Sequence, residues 1–154
     1  MKPELNLLLD EGHGIVTRAA HPHLEHQLDS AVKTGALVPL FTGVYTRPDL
    51  VTDFGVRALA LMHADPGAVL TGESARHLIH QTRVAPAIVT AATTRLRSRE
   101  GYDFERRNLP DSLIETWRGL RMTSPALTAV DLALPLGATL DEALRTRVPL
   151  QDLR

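Results

Sequence analysis

Four of the seven histidines in this 154-residue chain lie within residues 13–26, where they could bind a metal ion or a polar ligand. They are His13, His21, His23 and His26. A zinc site needs side chains that converge, as histidines at positions i and i+4 of one helix do. The spacing of these histidines differs from that pattern, and Pro22 interrupts the segment. The pattern therefore favours surface histidines, and no metal site is predicted.

Polar side chains that can bond to nucleic-acid bases repeat on one face of the helix predicted next. Its apolar face contains Leu24, Leu28, Ala31 and Val32. Its polar face presents His23, His26, Gln27, Ser30 and Lys33. In a major groove, glutamine can bind adenine, and serine or histidine can bind base edges or phosphates. A DNA-reading helix is one interpretation of this face. A solvated face without a partner, or a protein-binding face, is the other.

Short elements on both sides would position this helix. Leu5, Leu8 and Leu9 share one face of a first helix, which ends at Gly12 and Gly14. Residues 15–16 form an extended pair, residue 17 caps a short helix that residues 21–22 interrupt, and residues 24–32 form the polar helix. Residues 37–41 and 44–46 form a hairpin around a tight turn at residues 42–43. This order predicts a winged helix-turn-helix DNA-binding domain over residues 1–48.

The predicted winged helix assigns three further DNA contacts. Thr42, at the tip of the wing, would contact a phosphate or the minor groove, and Arg18 and Arg47 would contact the DNA backbone. The candidate DNA-binding residues are therefore Arg18, His23, His26, Gln27, Ser30, Lys33, Thr42 and Arg47. A homodimer on an inverted repeat is compatible with this geometry.

The second segment, residues 53–154, combines helices and short strands without a regular βαβ alternation. Helices are predicted after Asp53, over residues 74–80, after Ser124-Pro125 and over residues 140–147, and strands over residues 87–90, 102–109 and 117–123. The fold class is therefore α+β, with a small mixed α+β domain after the winged helix. Trp117 is expected in a core or an interface.

Several classes of function are excluded or disfavoured. The chain has no cysteine, which excludes disulfides, thiol catalysis and iron–sulfur clusters. It has no phosphate-binding loop or zinc-protease motif, and Ser74 lacks the glycine-flanked pattern of a nucleophilic serine. We expect no enzymatic activity and no cofactor. The apolar run Leu7-Leu8-Leu9 is too short for a signal peptide or a membrane span, so we expect a cytoplasmic protein.

Arginines alternate within residues 95–99 and could form a phosphate-facing stripe if this segment were a strand. They are Arg95, Arg97 and Arg99, with Arg106 and Arg107 following. The alternative is a solvated loop whose charge is balanced by neighbouring acidic residues. The balance of charges favours the loop.

Sequence fragments in both segments resemble the AbiEi-type antitoxins of type IV toxin–antitoxin systems. In the first segment these are residues 15–19 (IVTRA), 31–38 (AVKTGALV) and 43–45 (GVY). In the second they are residues 66–71 (PGAVLT), 119–128 (GLRMTSPALT) and 131–133 (DLA). Their order and spacing resemble the actinobacterial form of the family over most of the chain.

The resemblance implies a bacterial regulator in two parts. The winged helix would bind operator DNA and repress its own operon, and the second domain would act against a nucleotidyltransferase-like toxin. Many actinobacterial relatives continue into a Vsr-like endonuclease domain, so this chain resembles a form without the nuclease, or a fragment.

The charge of residues 1–48 leaves two alternatives open. These residues contain four basic and five acidic side chains, so their net charge is −1. Much of the affinity for DNA comes from basic side chains that neutralise phosphates. The first alternative is a protein-interaction module whose winged helix has lost tight DNA binding. The second is the specificity half of a split nuclease.

Overall fold

The structure is a computed structural model that describes residues 2–133. The chain divides into two compact units, Met1–Pro66 (the first unit) and Gly67–Arg154 (the second unit). Both contain helices and sheet, which confirms the mixed α+β class. No helix in the described part of the chain is long and apolar enough to cross a membrane.

The first unit combines three α-helices with a three-stranded antiparallel sheet. Its elements are α1 (Pro3–Glu11), β1 (Val16–Thr17), α2 (Glu25–Lys33), β2 (Val38–Phe41), β3 (Val44–Thr46) and α3 (Phe54–Ala64). Short 3₁₀ helices precede α2, at Pro22–Leu24, and α3, at Pro48–Leu50. The sheet order is β1-β3-β2, because β3 pairs with β1 on one side and with its hairpin partner β2 on the other.

The apolar positions predicted for the first two helices form one core with the sheet. Leu5 and Leu9 of α1 and Leu28 of α2 are buried, and Leu8 packs against the core from its edge. Tyr45 of β3 closes this cluster. The hairpin predicted around residues 42–43 is confirmed, and Gly43 supplies the left-handed conformation (φ +75°) that its turn uses.

Two expectations for the first unit are wrong. Thr17 does not begin a helix: it lies in β1, where it pairs with Val44. The proline at residue 22 begins a helix rather than interrupting one, because proline has no N–H to satisfy and suits a first helical turn.

The first compact unit also extends further than the predicted domain over residues 1–48. Helix α3 contacts β2 and β3, so it belongs with the hairpin. Asp53 caps this helix as predicted, since its Oδ1 accepts a hydrogen bond from Val56 N at 2.9 Å. The division between the units therefore falls after Pro66 rather than between residues 48 and 53.

In its described residues, 67–133, the second unit contains a five-stranded mixed sheet and two α-helices that pack together. Its elements are β4 (Val69–Leu70), α4 (Gly72–His80), β5 (Val89–Ala92), β6 (Tyr102–Glu105), β7 (Ile114–Trp117), β8 (Leu120–Thr123) and α5 (Pro125–Ala133). The sheet order is β6-β5-β4-β8-β7. The β4–β8 and β5–β6 pairs are parallel, and the other two pairs are antiparallel.

The sequence patterns predicted this unit in part. The start of α5 is confirmed, and Ser124 Oγ accepts a hydrogen bond from Leu127 N at 3.3 Å. The single strand expected over residues 117–123 is instead the hairpin β7–β8, because Arg118 and Gly119 adopt left-handed conformations and reverse the chain. Trp117 lies at this turn, exposed and stacked with Arg118, rather than in a core. The helix expected over residues 140–147 lies outside the described residues.

Candidate nucleic-acid interface

Helix α2 presents its polar face as the sequence predicted. Leu28 is fully buried, which fixes the orientation of the helix. At about 100° per residue, His26, Ser30 and Lys33 lie on the side opposite Leu28, and all three are exposed. These residues form the outermost ridge of the helix.

Arg18 connects three elements of the first unit through its guanidinium group. Nη1 donates to Glu25 Oε1 at 2.8 Å, and Nη2 donates to Asp29 Oδ1 at 2.5 Å. Nη2 also donates to the hydroxyl of Tyr45 at 3.0 Å. Arg18 follows β1, the carboxylates belong to α2, and Tyr45 belongs to β3. We call these four residues the Arg18 cluster.

The Arg18 cluster changes the electrostatics of α2. The hydrogen bond that Arg18 donates to the hydroxyl of Tyr45, and then the bond that it donates to Asp29, raise the pKa of Arg18 above its usual range. That charge offsets the negative charge of Glu25 and Asp29, which would otherwise repel an anion from the helix. The structure thus places Arg18 in a different role from the expected phosphate contact: its guanidinium is bound within the unit.

The other two residues predicted to contact the DNA outside the major groove, Thr42 and Arg47, lie in or directly after the β2–β3 hairpin. Thr42 is exposed at the turn between β2 and β3. The carbonyl of Gly43 accepts a hydrogen bond from Arg18 N at 2.9 Å, which ties the turn to the end of β1. Arg47 follows β3, and its Nε lies 3.6 Å from Asp49 Oδ1, so part of its charge is offset by a neighbour.

Four of the predicted residues come together at a cleft between α1 and α2. The cleft encloses about 500 Å³. Its polar lining consists of Lys2, His23, His26, Gln27, Ser30 and Thr34. The sequence patterns did not single out Lys2 or Thr34, because Lys2 approaches α2 only through the packing of α1. Lys33, Thr42 and Arg47 do not line this cleft.

The charge of the first unit is unfavourable for a DNA-binding surface. Residues 1–66 contain five basic and eight acidic side chains, a net charge of −3 with neutral histidines. The chain has two lysines, Lys2 and Lys33. Both lie outside the Arg18 cluster, and both are exposed. Any attraction for phosphate would therefore depend on a few side chains near α2.

The histidine-rich segment does not assemble a metal centre. In residues 2–133, no three side chains of histidine, aspartate or glutamate are grouped as a metal site requires. The rings of His21 and His23 meet edge to face, with their centroids 6.0 Å apart. His23 and His26 instead line the cleft with hydrogen-bonding neighbours.

The arginine-rich segment of the second unit is a loop and not a strand. Ser98 Oγ accepts a hydrogen bond from Phe104 N at 2.8 Å, and Arg106 Nη1 donates to Thr94 O at 2.6 Å. These bonds hold the loop along β6. Arg95, Arg97 and Arg99 are exposed there, so the alternative of a solvated loop matches the structure.

Ser74 has a structural role in the second unit. It is fully buried in the first turn of α4, and its Oγ accepts a hydrogen bond from Thr90 N at 2.9 Å. This bond connects α4 to β5. The role agrees with the prediction that Ser74 belongs to the start of a helix.

Comparison with known proteins does not assign the chain to a family. No protein-family model matches the chain, and no curated protein is similar to it.

The Arg18 cluster predicts a specific effect on stability. Lysine keeps the charge but cannot bridge two carboxylates and a hydroxyl, so Arg18→Lys should lower the melting temperature by a few °C. The matched control is Arg76→Lys, whose exposed ion pair with Glu73 (3.1 Å) lies within one helix and should contribute almost nothing. Thermal unfolding followed by circular dichroism measures both. Equal melting temperatures for the two variants would contradict the bridging role.

Proposed function

We propose that the first unit is a winged helix-turn-helix that binds double-stranded DNA through α2. The observation that carries this proposal is the exposed ridge of His26, Ser30 and Lys33, followed in the chain by the β2–β3 hairpin with Thr42 at its exposed turn. A helix of this kind can enter a major groove, and the hairpin can act as the wing.

The hydrogen bonds within the unit support this arrangement. A reading helix and a wing contact DNA together only if their relative position is fixed. Arg18 bonds to Glu25 and Asp29 on the helix and to Tyr45 on the hairpin. The guanidinium group thus links the helix and the wing, which also share the buried core around Leu28 and Tyr45.

The biological role that we propose is an antitoxin-type transcriptional regulator of the AbiEi kind. It would be cytoplasmic, repress its own operon and have no enzymatic activity. The second unit would contribute the contact with a nucleotidyltransferase-like toxin. The support for this role is the resemblance of the sequence fragments in both units, and binding as a homodimer to an inverted repeat is part of the same proposal.

A protein-interaction module is the second candidate function, and the net charge of −3 on residues 1–66 favours it. In this alternative the face of α2 binds a protein partner. The salt dependence of binding separates the two functions, because release of counterions makes DNA binding weaken steeply with salt.

Fluorescence anisotropy with the DNA upstream of the gene, at two salt concentrations, tests the DNA-binding proposal. Lys33→Ala should weaken binding to all sequences and lower the slope of log K against log salt by about one. Lys33→Arg, which keeps the charge, should retain the slope. Gln27→Ala should instead reduce the preference for the cognate sequence, by about 1–3 kcal/mol if it reads an adenine. Absence of salt-dependent binding at low salt would contradict DNA binding and favour a protein partner.

The Arg18 cluster makes a second prediction about affinity. Asp29→Asn removes a negative charge beside the reading ridge and releases part of Arg18, so DNA binding should become severalfold tighter. Asp10→Asn is the matched control, because Asp10 is an exposed carboxylate on α1 and the change in net charge is identical. The same anisotropy titration compares the two variants. If both change the affinity equally, the cluster has no specific effect on DNA binding.

A further inference from the structure

The cleft between α1 and α2 has the chemistry of an anion site. Five of its six polar lining side chains can donate hydrogen bonds to a ligand: Lys2, His23, His26, Gln27 and Ser30. The hydroxyl of the sixth, Thr34, donates to the carbonyl of Ala31 at 3.2 Å. None of the described residues that line it is acidic. The two nearby carboxylates of α2, on Glu25 and Asp29, are instead bound by Arg18.

The size and floor of the cleft suit more than a simple ion. Its volume of about 500 Å³ lies within the roughly 300–1,000 Å³ of small-molecule sites. Leu5 and Ala31 supply apolar surface beneath the polar side chains. Lys2 is the N-cap residue of α1, immediately before its first residue. The partial positive charge at the start of α1 therefore adds to that of Lys2.

We propose that this cleft is a binding site for a phosphate group. A lysine with hydroxyl, amide and imidazole donors is a suitable set for phosphate oxygens, and no lining carboxylate opposes it. The phosphate has two possible sources with the same chemistry: a free phosphate ester of nucleotide size, or a phosphate of the DNA backbone.

A free ligand in the cleft would also control the α2 face. His23, His26, Gln27 and Ser30 line the cleft and are predicted DNA contacts, so a ligand bound there would compete with DNA. This consequence rests on the proposed DNA-binding function. Binding of a free phosphate ester in the cleft does not depend on the proposed DNA-binding function, and it can be measured without DNA.

The test is an NMR titration of the full chain with adenosine monophosphate, with inorganic phosphate, and with adenosine as the probe that lacks phosphate. Adenosine monophosphate should shift the backbone amides of residues 23–34 saturably at submillimolar concentration, and adenosine should not. Lys2→Ala should weaken this binding at least severalfold. Arg76→Ala is the matched control and should leave it unchanged, because it removes the same charge from an exposed side chain that does not line the cleft.

DNA titrations of the same variants distinguish the two sources. If adenosine monophosphate does not bind, but Lys2→Ala lowers the slope of log K against log salt for DNA by about one, the cleft accepts a backbone phosphate. The proposal is overturned if Lys2→Ala changes neither titration, or if adenosine binds as well as its monophosphate. Failure of DNA binding alone would overturn the proposed function and leave the result with adenosine monophosphate standing.

Discussion

The hydrogen bonds of the Arg18 guanidinium group link the elements of the candidate interface above the apolar core that they share. This group is placed by the end of β1, and it bonds to two carboxylates of α2 and to the Tyr45 hydroxyl of β3. Each of these contacts joins residues between 7 and 27 positions apart in the chain. These bonds connect α2 to the β2–β3 hairpin and restrict how the two elements can move relative to each other. The same group offsets the negative charge that α2 would otherwise present.

Local signals were sufficient to predict much of the fold. Asp53 and Ser124 were identified as helix caps because their side chains act on N–H groups a few residues away. The burial of Leu24, just before α2, and of Leu28 and Ala31 within it follows from their spacing. The β2–β3 hairpin follows from the glycine at its turn.

The errors came where distant residues decide the structure. Threonine is a residue type that often caps helices, but Thr17 pairs with Val44 and is therefore part of a strand. Strand β4 has only two residues, Val69 and Leu70, and exists because β5 and β8 pair with it on either side. A pattern within one segment cannot indicate such partners.

In the candidate site too, some features follow from a local sequence pattern and others from contacts between distant residues. The face of α2 was predicted from periodicity, whereas the internal role of Arg18 and the cleft beside Lys2 depend on how separate elements pack. His26 and Ser30 belong both to the exposed ridge and to the lining of the cleft, whereas Lys33 belongs only to the ridge and Lys2 only to the cleft. In a unit with a net charge of −3, this arrangement places both lysines of the chain on or beside the polar face of α2, where they can act on phosphate.

We propose that α2 and the β2–β3 turn contact DNA together. Mapping of backbone amide shifts by NMR, with the upstream DNA added to the full chain, tests it most directly. The account predicts that the largest shifts fall in residues 26–33 and 42–43. Shifts confined to the second unit, or no shifts at low salt, would contradict it.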